Sequence, residues 1–105
     1  MAVAKNKSQQ SQQQSPHQTI TDILTERGSN YGSFDEHDRI TQNIKDAMRD
    51  SPNWSRLSPA QRESLEMQAH KIGRILNGDP NYLDSLVDIE GYTHLVVKLL
   101  QGQKL

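Results

Sequence analysis

Three groups of side chains in this 105-residue chain have types and spacings that could do chemistry. Glu63, Glu66 and His70 stand three and four residues apart, the spacing that places side chains on one flank of a helix. Two carboxylates at E-x-x-E spacing offer oxygen ligands to a hard cation such as Mg²⁺. Asp84 and Asp88 are one helical turn apart in a stretch crowded with Leu, Val and Ile. An acid against apolar surface is costly unless it meets a metal, a base or a partner. Arg27, Asn30 and Tyr31 share a segment with Gly28 and Gly32. A guanidinium, a ring and a closely approaching backbone together suit a base or a phosphate. Lys71 and Arg74 add two cations on the polar side of the Glu66 helix.

Each group also has a plainer reading. The E-x-x-E flank can be a solvated face paired with Arg62 or Lys71. Asp84 can be an acid favoured by a helix N-terminus. The glycine-containing segment can be a structural loop with one Tyr tucked in, and Lys71 and Arg74 can pair with Glu63, Glu66 or Asp79. His37 falls on an apolar stripe and reads as a satisfied core residue. The histidines lack the H-x-x-x-H and H-E-x-x-H spacings of a zinc helix, and there is no Walker A or G-x-G-x-x-G loop.

The elements that must position these groups read as four helices with no strand, because alternating β-branched runs are missing. The spacing predicts a first helix over Thr19–Arg27, capped by Thr19 and stopped by Gly28, with Ile20, Ile23 and Leu24 as its stripe. Residues 28–33 then form a loop. Ser33 caps a second helix over Phe34–Arg49, whose buried stripe is His37, Ile40, Ile44, Ala47 and Met48. Trp54 and Leu57 anchor the connector that follows. Ser58, Pro59 and Gln61 make a capping box for the third helix, with Leu65, Ala69, Ile72, Ile75 and Leu76 as its core stripe. Gly78 stops that helix. Asp79 caps the fourth, with Pro80 at its first position. Tyr82, Leu86, Ile89, Val96, Val97 and Leu100 gather on one side of the fourth helix, and Tyr92, Leu95 and Leu99 on the other with Asp84 and Asp88. A helix apolar on two sides is central or shared with another chain, so the expected architecture is a small all-α bundle that forms a homo-oligomer through its last helix.

Composition narrows the function classes. Residues 1–18 are Gln/Ser-rich with almost nothing to bury, and read as a disordered tail ahead of a helical domain over 19–105. The tail lacks the apolar core of a signal peptide. The formal charge of −1 becomes −3 once Lys5 and Lys7 are set aside with the tail, which argues against nucleic acid as a partner. No stretch is long and apolar enough for a membrane span. With no cysteine, thiolate metal sites and thiol nucleophiles are excluded, and a reducing cytoplasm is the natural setting.

The segments Glu26–Phe34, Leu65–Asp79 and Asp88–Tyr92 resemble a family of small phage and prophage proteins of unknown function, over about residues 20–100. That likeness implies a bacterial host cell. More distantly, a helix with paired acids followed by a helix with an Asp four residues before a Tyr is similar to the all-α, MazG-like nucleoside triphosphate pyrophosphohydrolases. That likeness implies a helical oligomer with Mg²⁺ held by carboxylates and an activated water that cleaves between the α and β phosphates. Glu63 and Glu66 match the family's E-x-x-E, and Asp88 its final acid, so these three would hold Mg²⁺. Asp84 stands four residues before Asp88 where the family has an acid three before, and would support the water or a second ion. Arg27, Asn30 and Tyr31 would hold sugar or base, and Lys71 and Arg74 the phosphates. Two functions are therefore expected: a nucleotide-handling protein that binds or hydrolyses its ligand, or a non-enzymatic phage protein that inhibits a host enzyme or defence system.

Overall fold

The computed structural model describes residues 16–105, with side chains from residue 19 onward. The described residues form four α-helices: α1 (Pro16–Tyr31), α2 (Phe34–Arg49), α3 (Pro59–Asn77) and α4 (Leu83–Leu100). A 3-10 turn at Trp54–Arg56 links α2 to α3, and no strand occurs among the described residues. The fold is the expected all-α one. The expected tail lies outside the described residues up to residue 15, while residues 16–18 open α1 instead of extending the tail.

α3 is the central helix, packed on α2 at one side and α4 at the other. Its start is fixed locally. Ser58 Oγ accepts from the Gln61 N–H at 3.2 Å, and Gln61 Oε1 accepts from the Ser58 N–H at 2.8 Å, which satisfies two otherwise orphaned donors. Ser33 caps α2 in the same way through the Glu36 N–H. Arg62 holds the connector onto α3, donating to the carbonyls of Trp54 and Ser55 while lying over the Trp54 ring.

Three helix boundaries differ from expectation: besides the start of α1 at Pro16, which leaves Thr19 inside the helix and not at its cap, two lie later in the chain. α1 does not stop at Gly28 but runs four residues further, and the residue in the left-handed region is Gly32, at φ 79°. The reason is tertiary. The carbonyls at the end of α1 are satisfied by the α3–α4 turn: Asn77 Nδ2 donates to Tyr31 O (2.9 Å) and Ser33 O (2.8 Å), and the Asp79 N–H donates to Asn30 O (2.7 Å). Those bonds and the packing of Tyr31 outweigh the ~1 kcal/mol that a helical glycine costs at position 28. At the other boundary, α4 begins at Leu83 rather than beside Pro80. Asp79 spends its side chain on an Asx turn, accepting from the Asn81 N–H at 2.9 Å, and Tyr82 stands at the N-cap with no side-chain cap.

The buried positions also depart from the expected stripes. Ala69 is the one apolar residue fully buried among the described residues; the others are His37, Thr41, Ser64, Lys71, Ser85 and Gly73. α3 is clasped from both sides through small and polar residues. Gly73 admits Thr41 and His37 of α2, and Ser64 Oγ donates to the Tyr92 carbonyl of α4 at 3.2 Å. Leu65, Ile72 and Leu76, expected inside, are exposed, as are Ile20, Ile23 and Leu24 of α1, and Ala47 of α2. On α4, Asp88 and the Tyr92 carbonyl meet α3 and Ile89 and Val96 are half-buried, whereas Leu86, Val87, Leu95 and Leu99 are exposed.

Candidate functional site

The structure separates the three candidate groups. The acids do not converge. Glu66 is ion-paired with Arg49 of α2 on one side of α3, and Asp88 with Lys71 at 2.8 Å on the other. Glu63 is exposed, and Asp84 sits at the start of α4, where its carboxylate raises the Tyr82 phenol above its ordinary value. Among the described residues no three His, Cys, Asp or Glu side chains form a group that could hold a metal ion. The expected Mg²⁺ ligands Glu63, Glu66 and Asp88 therefore do not fit a resident ion in this arrangement, and Lys71, buried against Asp88, is a structural cation and not a phosphate ligand. Helical spacing set Glu63, Glu66 and His70 on neighbouring positions of one flank, but α3 is clasped from two directions and each side claims its own charges.

The glycine-containing segment behaves differently. The end of α1, the start of α2 and the middle of α3 enclose a cleft of about 440 Å³, lined by Leu24, Arg27, Gly28, Tyr31, Phe34, His37, His70 and Arg74 among others. A polar chamber of about 210 Å³ adjoins it, sharing Arg27, Tyr31 and Arg74 and adding Glu26, Asn30 and Tyr82. The shared wall is well ordered by its contacts. The Arg74 guanidinium lies over the Tyr31 ring with its carbon 4.2 Å from the centroid, and Tyr82 meets Tyr31 edge-on at 5.5 Å. Among the described residues Gly28 meets nothing within 4 Å where a Cβ would stand, so none of them requires a glycine there by packing; its missing side chain leaves the cleft open.

Two histidines form the floor. His37 and His70 stack edge-on at 4.5 Å, and His37 Nε2–H donates to the His70 carbonyl at 3.1 Å. His37 is the satisfied core residue expected, and it also borders the cleft. His70 is held down to about 4 by burial first, then by His37, Arg74, Lys71 and Lys45. It is neutral at pH 7. Below its ordinary value of 6.5 the unfolded chain binds a proton that the folded chain refuses, so stability falls as the pH drops from 6.5 towards 4. His70 is only half-buried, and solvent screening reduces the effect to about 1 kcal/mol between pH 7 and 5. Urea midpoints across that range should fall with acidification, and His70→Gln should flatten the fall; an unchanged slope in the variant would exclude His70 as its source.

Of the residues singled out from sequence, Arg27, Asn30, Tyr31 and Arg74 come together, and Glu63, Glu66, Asp84, Asp88 and Lys71 do not join them. Sequence reasoning missed Phe34, His70 in its cleft role, and Tyr82. Phe34 carried a signal, being a large ring at the first, solvated turn of a helix, and it is 76% exposed at the cleft mouth. Tyr82 carried none, because its place depends on how the α3–α4 turn docks. Comparisons with protein-family models, curated proteins and solved structures find no match to this chain.

Proposed function

We propose that this chain binds a nucleotide in the α1–α2–α3 cleft, as a binding protein and not through a carboxylate metal centre. One observation carries the reading. Arg39 and Arg49 are ion-paired, Arg56 is bonded to Asn53, and Arg62 to two carbonyls. Arg27 and Arg74 alone have no oxygen partner among the described residues, and both line this cleft. Guanidinium groups left without an anion in a concave, largely apolar site suit phosphate oxygens, which they meet in bidentate fashion. The cleft is of ligand size. Tyr31, Phe34 and Leu24 give a base an apolar and aromatic surface, and Glu26 and Asn30 offer acceptors to sugar hydroxyls in the polar chamber. Neutral His70 keeps the floor free of a charge that would need its own counter-ion.

In this reading Mg²⁺ enters only as an ion that a polyphosphate carries with it. The test is a thermal-shift screen of nucleotides, including cyclic and dinucleotide forms, with and without Mg²⁺. At least one nucleotide is expected to raise the melting temperature in EDTA. No response to any nucleotide in EDTA would remove the reading.

A further inference from the structure

The described residues leave fifteen large apolar side chains exposed and only Ala69 fully buried among apolar ones. A domain of this length with so little interior is marginal on its own. What completes it must be present whenever the chain folds, and a second copy always is.

α4 shows where the copy fits. Gly91 lies at the middle of this helix, where glycine is costly, yet none of the described residues stands within 4 Å of where its Cβ would be. It forms part of a shallow groove bordered by Val87 and Leu95, both about half exposed. Asp84, Val87, Gly91, His94, Leu95 and Lys98 recur at three- and four-residue spacing and share one stripe, about a third of a turn round from the residues that face α3, with Asp88 between the two. The stripe is self-complementary about Gly91. When two such helices cross antiparallel at that glycine, residues equally distant on either side meet: Val87 faces Leu95, and Asp84 faces Lys98. In the parallel arrangement Asp84 would face Asp84 and Lys98 would face Lys98. Among the described residues Lys98 reaches Gln103, Asp84 neighbours Tyr82, and Asp88 holds Lys71.

We infer that two copies of this chain pair antiparallel through α4, crossing at Gly91, with Asp84 of each copy opposite Lys98 of the other. Such an isologous contact closes as a dimer. It is independent of what the cleft binds.

The chain has no cysteine, which makes a direct test simple. Light scattering on the full chain should give the mass of two copies. Val87→Cys and Leu95→Cys, mixed and gently oxidised, should form the mixed disulfide in preference to either self-linked species. Asp84→Lys and Lys98→Asp should each weaken the dimer by about tenfold or more, because like charges then meet twice. Mixing those two variants should restore association as mixed dimers in native mass spectrometry. The two positions lie about 21 Å apart along one helix, so no repair within a chain can imitate that rescue. A single-chain mass for the wild type, or cysteine pairs that link only to themselves, would overturn the inference. So would charge variants that dimerise as tightly as the wild type.

Discussion

Gly78→Ala is expected to lower stability by about 2–3 kcal/mol, among the largest effects of any single substitution in this fold. The φ at Gly78, −111°, lies outside the left-handed region that favours glycine. The demand is for space. A Cβ at this position would land on the backbone of Asn30 and Tyr31, which cannot swing aside as a flexible side chain would. The turn and the end of α1 would have to separate. That would strain the Asp79 N–H bond to Asn30 O and the two bonds from the Asn77 amide. Chemical denaturation of the variant should show the loss, and a midpoint equal to wild type would mean that the turn does not hold α1. Because Tyr31 and Arg27 sit on the helix that this turn secures, the variant should also bind ligand less well even where it remains folded.

Asp88→Asn is expected to destabilise by about 1–2 kcal/mol. From sequence, the same change looked like the removal of a metal ligand, or even of an unwelcome charge. The structure reverses the sign. Lys71 is 9% exposed, and Asp88 is its carboxylate partner at 2.8 Å. Removing the acid leaves a buried ammonium uncompensated, which costs more than an exposed pair contributes. The half-exposed Asp88 lets water soften the loss, hence the modest figure. Lys71→Met placed on top of Asp88→Asn should recover stability, since it removes the stranded charge. Failure of the double variant to improve on the single one would place the effect elsewhere.

How far the sequence could be read depended on how local each feature was. The capping box at Ser58 and Gln61, the Ser33 cap and the four-helix count rest on short-range hydrogen bonding and spacing, and all hold. The end of α1 was misplaced because Gly28 and Gly32 look alike in one dimension. Only the docked Asn77 amide and the positive φ of Gly32 tell which one ends the helix. The acids were misread for a related reason. Helical periodicity places Glu66 and Asp88 on their own helices, but it cannot say that Arg49 of α2 and Asp88 of α4 approach α3 from different sides, to meet Glu66 and Lys71. The exposed Leu65, Ile72 and Leu76 follow the same pattern: the apolar stripe is real, and the helices that clasp α3 do so elsewhere. Arg27, Asn30 and Tyr31 were found because one short segment carries them, and Arg74 joins them by a stacking contact that spacing alone does not reveal.

Direct titration calorimetry tests the central claim, the nucleotide cleft, most closely. The intact chain would be titrated with ATP, cyclic AMP and cyclic di-GMP in EDTA, beside the Arg27→Met and Arg74→Met variants. At least one nucleotide is expected to bind at one site per chain, and each variant to weaken it by about tenfold or more, as loss of a charged hydrogen bond implies. Absence of binding by all three, or an affinity that both variants leave unchanged, would contradict it.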